Sequence, residues 1–298
     1  MTLVPCPVCR APSTLRHVLR SPFSQHAEKY EIRNCTICDH RFANGRNDVE
    51  FLAEVYSRDF HATAQQDAPM GPEGELPKNL EAYPILANAK RRLAWLQAKG
   101  ISGRLLDIGA GRGFFLQAAQ NEFDVSGVEL SETAAQEARS KGLKVFTGDF
   151  LAFDSTNRFD IVTLWDVLAS FPNPLAALEH VRRILVADGC CVLTLPMGDS
   201  RAAKWMGRFW PFWIPPVNLH YFSSESLRRV CCAAGLEIVL IKFHGKRVAL
   251  SFIWLKLLRM IGLAHIRWLR RIVTSRRSIK VNLHDVATVM LKPVEVAK

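Results

Sequence analysis

The sequence predicts a doubly wound α/β fold, a mostly parallel sheet of seven strands covered by helices on both faces, preceded by a small cysteine-rich module. Three observations carry this expectation. Seven short apolar runs alternate with helical spacings after residue 100, the run LLDIG opens into a glycine-rich turn at 109–113, and two C-x-x-C pairs stand within the first 38 residues. Apolar runs without polar alternation mark strands buried on both sides, and helices between them make the connections parallel.

Taken in order, residues 1–45 hold the cysteine pairs and little apolar periodicity, and read as a module of their own. DVEFLAEVYSRDF, 48–60, suggests a short helix, and AQQDAPMGPEGELP, 64–77, is rich in turn formers, so residues 46–78 are expected to form a helix and a linker or lid. From Asn79, the residues Leu80, Leu86, Leu93 and Leu96 keep helical spacing until Gly100 stops it. Strands are then expected at 103–109, 123–130, 143–150, 159–168, 190–197, 235–243 and 285–293. Helices are expected from Phe114, over 132–141, over 174–187 and over 224–234. Residues 79–298 therefore read as one domain, with a basic amphipathic insertion at about 245–280.

A chain of 298 residues, 49% hydrophobic and 22% charged, is long enough for one large domain and an appendage. The first residues, MTLVPCPVCR, have neither the basic start nor the apolar run of a secretory signal, and no stretch of about 18 residues is apolar without charge. A cytoplasmic setting is the expectation. There, eight cysteines argue for metal ligands and buried thiols over a disulfide framework.

CPVC at Cys6 and Cys9 and CTIC at Cys35 and Cys38 form two knuckles with 25 residues between the pairs. Two such knuckles bring four thiolates together, the donor set of a structural zinc ion with no open coordination position for substrate. Arg10, Arg16, His17 and Arg20 give the module a cationic face that can touch an anionic partner but reads first as solvated. Cys190, Cys191, Cys231 and Cys232 fall in expected core elements and read as packing residues.

The stretch LLDIGAGRGFF, Leu105 to Phe115, places three glycines in five positions after a strand, where such a sheet holds its ligand. Glu129 ends the second strand, where a carboxylate can accept both hydroxyls of a ribose. Asp149 ends the third, beside the aromatic Phe150. A dinucleotide site favours GxGxxG, and this loop is DIGAGRG. Together with FDIVTLWDVL, RRILVADG before CCVLTLP, and NLHYFSSESLRRVCCAAGLEIV, the chain from about Leu80 to Pro293 resembles the class I S-adenosylmethionine-dependent methyltransferases. That resemblance implies a Rossmann-like fold and S-adenosyl-L-methionine as cofactor. It implies that Asp107, Gly109, Ala110, Gly111 and Gly113 cradle the methionine part, Glu129 and Leu130 the ribose, and Asp149 and Phe150 the adenine, with Trp165 beside them. Asp166 and His220 are the candidate bases if the acceptor must lose a proton. Where many relatives carry a histidine pair around a glutamate, this chain has WDVLASFPNP, with Ala169 and Ser170 at the expected acid and second histidine.

The net charge of +11 is concentrated: 11 of the 39 basic residues lie between Lys242 and Lys280, a segment with no Asp or Glu. VALSFIWLKLLRMIGLAHIRWLRRIV, 248–273, reads as a basic amphipathic helix, with Lys256, Arg259, Arg267 and Arg270 on one side. It can pack on its own domain, cover a hydrophobic pocket, pack on a partner subunit, or lie on the inner face of a membrane. KWMGRFWPFWIPP, 204–216, adds an aromatic loop after the fifth strand. These features favour a methyltransferase with a small apolar or lipid-linked acceptor. The alternatives are an RNA methyltransferase with a zinc-ribbon recognition module, against which the basic residues sit amid Trp, Leu and Ile, and a noncatalytic cofactor-binding or membrane-docking adaptor.

Overall fold

The structure, a computed structural model, describes residues 4–21, 28–56, 84–250, 253–254, 257–258, 263, 266 and 278–294. The expected linker at 64–77 and the basic side chains Lys256, Arg259, Arg267 and Arg270 lie outside the described residues.

The chain begins with three antiparallel strands, β1 (Ser13–Arg20), β2 (Lys29–Cys35) and β3 (Arg41–Asn44). Asp48 caps the next helix, α1 (Val49–Glu54), by accepting from the Phe51 N–H at 3.0 Å. Helix α2 (Pro84–Gln97) precedes β4 (Arg104–Ile108), and the glycine turn then leads into α3 (Phe114–Ala119). Alternation continues through β5 (Asp124–Glu129), α4 (Glu132–Ser140), β6 (Val145–Thr147) and β7 (Phe159–Trp165). Asn173 caps α5 (Pro174–Ile184), with Pro174 in the first turn, where its missing N–H leaves no bond unmade. Then come β8 (Leu185–Pro196), α6 (Arg201–Met206), β9 (His220–Tyr221), α7 (Ser224–Ala233), β10 (Leu236–Lys242), β11 (Lys246–Ala249), β12 (Ser278–Val281) and β13 (Val286–Pro293).

The main sheet has seven strands in the order β10-β13-β8-β7-β4-β5-β6, parallel from β8 to β6 and antiparallel on both sides of β13. Strand order reverses between β4 and β7, which fixes the ligand crevice at the carboxyl ends of these strands. Both faces are covered. Leu178 and Val181 of α5 and Leu227 and Val230 of α7 pack on one side, and Leu96, Leu116, Ala135 and Ala138 from α2, α3 and α4 on the other.

Two expectations are corrected here. The helix expected over 174–187 ends at Ile184, because Leu185 already pairs with Phe159; the ladder shifts register before resuming at Cys190 opposite Ile161. Val248 and Ala249, expected in a helix, lie in β11, an antiparallel partner of β12.

The cysteine module is joined to the sheet domain through backbone and core. Strand β9 pairs with β3, making the four-stranded sheet β1-β2-β3-β9, and the Ala43 N–H donates to the Leu219 carbonyl at 2.8 Å. Tyr30, Ile32 and Ala43 of the module share one buried cluster with Trp210, Trp213 and Tyr221. Of the aromatic loop, Trp210 and Trp213 are therefore core residues, whereas Trp205 is 88% exposed. Cys190, Cys191 and Cys231 are buried as expected, and Cys232 is exposed on α7.

Candidate active site and cysteine centre

One cavity of about 1060 Å³ opens at the carboxyl ends of β4, β5 and β7. That lies just above the roughly 300–1,000 Å³ common for small-molecule sites. At one end its walls include Asp107, Gly109, Ala110, Gly111, Glu129, Leu130, Asp149 and Phe150, all expected from the sequence. Elsewhere its walls include Trp165 and Asp166, the aromatic loop, Tyr56 after α1, His244, and Val248 of β11.

Glycines Gly109 and Gly113 are explained by protein packing. A Cβ on Gly109, at φ 72°, would stand 2.5 Å from Val167 Cγ2, and one on Gly113 would stand 2.4 Å from Leu143 Cδ1. Gly113 is not part of the cavity wall; it lets α3 start close against the end of α4, which corrects its expected place among the ligand-facing residues. Gly111, at φ 54°, does face the cavity, and its N–H donates to Glu129 Oε2 at 2.7 Å.

Glu129 is buried, and its other oxygen, Oε1, accepts from the Ser131 N–H at 2.8 Å. Burial raises its pKa, opposed by the N–H groups of Ser131, Gly111 and Leu130. Each carboxylate oxygen keeps a second lone pair, so the group is oriented by the backbone and can still accept from a ligand. Asp107, at the end of β4, accepts from Thr163 Oγ1 at 2.6 Å. Burial pushes it up to about 7, against the donation from Thr163 and the charge of Arg92. Asp149 caps the short turn Phe150–Ala152 through the Leu151 N–H, which fixes Phe150 beside it.

Asp166 lines the cavity at a left-handed φ of 65°, a conformation that Asp tolerates better than most residues. Its Oδ2 meets Arg92 at 2.9 Å and its Oδ1 accepts from Thr194 Oγ1 at 2.9 Å. The same Arg92 lies over the Trp165 ring, 4.9 Å from its centroid. His220 is elsewhere: it is buried outside the cavity wall, with Nδ1 3.0 Å from His40 Nε2 of the cysteine module. Burial lowers its pKa to about 4. Its position is one of joining the cysteine module to the sheet domain, since Phe42 of β3 pairs with His220 of β9 within one sheet.

Arg92, His244, Tyr56 and the module residue Leu19 line the cavity without having been singled out as site residues, and Arg20, noted in sequence only as part of a cationic face, lines it too. Arg91 and Arg92 are indistinguishable in sequence, and the partner of Arg92 is 74 residues away. His244 had no motif around it. Its Nδ1 lies 3.2 Å from Thr288 Oγ1, and burial, helped by the positive charges of Arg91, Lys242 and Lys280, lowers its pKa.

The four cysteines come together as expected. Cys6 Sγ lies 3.8 Å from Cys38 Sγ, Cys9 Sγ lies 3.4 Å from Cys35 Sγ and 3.5 Å from Cys38 Sγ, and all four sulfurs are within 4.8 Å of one another. Four sulfurs at about 2.3 Å from a tetrahedral ion stand about 3.8 Å apart, close to the separations found here, so the donor set fits a metal ion. Burial pulls the Cys35 thiol up, yet the N–H groups of Cys38 and Ile37 outweigh it and hold the thiol at about 7. Burial pushes Cys6 up to about 11, a penalty that a bound cation removes.

Residues 78–241, more than half of the chain, match the family described as Methyltransferase domain. The ubiquinone biosynthesis O-methyltransferase of Azoarcus sp. (strain BH72) is 28% identical over 165 residues, which are 50% of this chain and 71% of that protein. The protein of the same name from Bordetella avium (strain 197N) is 32% identical over 130 residues, 40% of this chain and 50% of its own length. The chain thus spans about half the length of most of these curated relatives. Among solved structures, the YcgJ protein from Bacillus subtilis shares the fold with a TM-score of 0.50 at 18% identity, over 69% of this chain and 100% of that one. The magnesium protoporphyrin IX methyltransferase from Synechocystis PCC 6803 does so with a TM-score of 0.50 at 16% identity, over 82% of this chain and 99% of that one. The strand order, the cavity at the reversal point and the matched domain agree, and the chain belongs to the class I S-adenosylmethionine-dependent methyltransferases.

Proposed function

We propose that this chain transfers a methyl group from S-adenosylmethionine to a small, apolar or lipid-linked acceptor. The observation that supports it best is the continuity of one cavity from the acid and glycine end into an aromatic end. The bound cofactor supplies a methyl group already activated on a sulfonium. Asp107 meets the cationic amine of its methionine part, Glu129 accepts its ribose hydroxyls, and Asp149 with Phe150 takes its adenine. What remains for the protein is alignment and exclusion of water, and positioning of this kind is worth roughly 7–11 kcal/mol. Trp165, Phe212 and Trp213 supply aromatic wall to the same cavity.

An acceptor that loses a proton needs a neutral base within the cavity. His244 has that position and, through its lowered pKa, that charge state. His244 would take the acceptor's proton, freeing an electron pair on the acceptor for the methyl group that the cofactor would supply. Asp166, held by Arg92 and Thr194, orients that wall. The curated relatives are named as O-methyltransferases, which supports a hydroxyl as the acceptor group. In the cysteine module we assign the metal as zinc in a structural role, since four protein ligands leave no position for chemistry.

Incubation of cell extract with the protein and methyl-tritiated cofactor tests this reading. Label is expected in a chloroform-extractable product. Label in RNA, or none in any fraction with cofactor bound, contradicts it.

A further inference from the structure

The charges around the cavity divide by position. The cofactor end is acidic, through Asp107, Glu129 and Asp149. Arg112, in the glycine turn, is tied to Glu137 at 3.3 Å, and elsewhere along the wall Arg92 is tied to Asp166 and Asp285 accepts from Trp210 Nε1 at 3.0 Å. Two further cations line the wall, Arg20 and Arg208, and among the described residues neither meets a carboxylate. Both are exposed.

They arrive from distant parts of the chain. Arg20 ends β1 of the cysteine module, and Arg208 sits in the turn Gly207–Phe209 of the aromatic loop, its guanidinium 4.8 Å from the Phe209 ring centroid. Their neighbours Leu19 and Met206 pack against the same buried cluster, which holds module and loop in one fixed relation. The largely apolar cavity therefore carries, where the module meets the loop, two guanidinium groups that meet no carboxylate among the described residues.

Resting on the methyltransferase reading, we propose that the acceptor is an anionic amphiphile whose phosphate or carboxylate is held by Arg20 and Arg208. A guanidinium presents its donors in a planar fork that matches an oxyanion, and stacking on Phe209 leaves those donors free at the fork's edge. Apolar surface of the acceptor then fills the aromatic end, and the anionic group fixes which end points toward the cofactor. The cysteine module in this arrangement supplies part of the acceptor site.

The test is a titration of the full metal-loaded chain, with S-adenosylhomocysteine present, using dodecyl phosphate, dodecanoate and dodecyl maltoside below their micelle concentrations. The two anions should bind at least about tenfold more tightly than the maltoside, the ratio between them distinguishing phosphate from carboxylate. The double variant Arg20→Glu, Arg208→Glu should lose that preference and keep its affinity for S-adenosylhomocysteine. Arg201→Glu, an exposed change in the same basic loop region outside the cavity wall, should keep both. Equal binding of all three amphiphiles overturns the inference, as does an unchanged preference in the double variant or an equal loss in Arg201→Glu. Failure of the wild type to bind S-adenosylhomocysteine at all overturns the methyltransferase reading itself.

Discussion

Thr163 Oγ1 donates to Asp107 Oδ1 at 2.6 Å, directly across the seam where β4 and β7 lie in register and strand order reverses. This places a buried, single-donor carboxylate at the centre of the crevice, pushed from 3.8 to about 7. Because the folded value is the higher one, the unfolded chain ionises first as pH rises. Stability should therefore fall between about pH 4 and pH 7, by up to roughly 4 kcal/mol, and then stay level. Asp107→Asn should flatten this slope in denaturant titrations. The same carboxylate must be ionised to meet a cationic amine, so affinity for S-adenosylhomocysteine should rise with pH through about 7 in the wild type and not in Asp107→Asn.

His220 should act through folding. Its pKa is lowered to about 4, so the unfolded chain takes up a proton near 6.5 that the folded chain refuses until about 4. Its contribution is present above 6.5 and lost as pH falls through that window, on the order of 3 kcal/mol when complete. His220→Phe removes the contact with His40 and should lower Tm, with this acid-side slope reduced. A normal Tm with loss of methyl transfer alone would return His220 to the role of base.

Gly109 tests whether protein packing, and not the ligand, excludes a side chain from the turn. Gly109→Ala should cost about 2–4 kcal/mol, from the positive φ and the contact with Val167 together. Adding Val167→Ala should recover the steric part and leave about 1–2 kcal/mol for the backbone. Urea unfolding of the wild type and the two variants measures this, and no recovery in the double variant would deny the contact.

Metal removal should be read out by tryptophan. Trp210 and Trp213 pack against Tyr30 and Ile32 of the module, so chelation or Cys35→Ser should release one equivalent of zinc, lower Tm by several degrees and shift Trp emission to the red. S-adenosylhomocysteine should still bind, because its proposed contacts lie on β4, β5 and the turn after β6. Unchanged emission and Tm after complete metal loss would contradict the structural role.

The sheet was legible because its strands are short apolar runs whose burial needs no knowledge of partners. Asp107, Glu129 and Asp149 were legible for a related reason: in a parallel sheet, the strand end itself points to the crevice. The union of module and domain was not. Strand β9 is two residues long, and the His40–His220 contact spans 180 positions, so neither leaves a local periodicity. Gly113 was misplaced because a glycine needed for helix packing reads in sequence like one needed for a ligand. Apolar residues of 248–273 suit strand and helix alike, and only the pairing of β11 with β12 decides the first of them.

The central claim is that the Gly111 amide and the Glu129 carboxylate, bonded at 2.7 Å, form the seat of an adenosyl cofactor. Calorimetric titration of the wild type and Glu129→Ala with S-adenosylhomocysteine tests it most directly. One molecule bound per chain is expected, with affinity at least about tenfold weaker in the variant. No heat with the wild type, or equal affinity in both proteins, would contradict it.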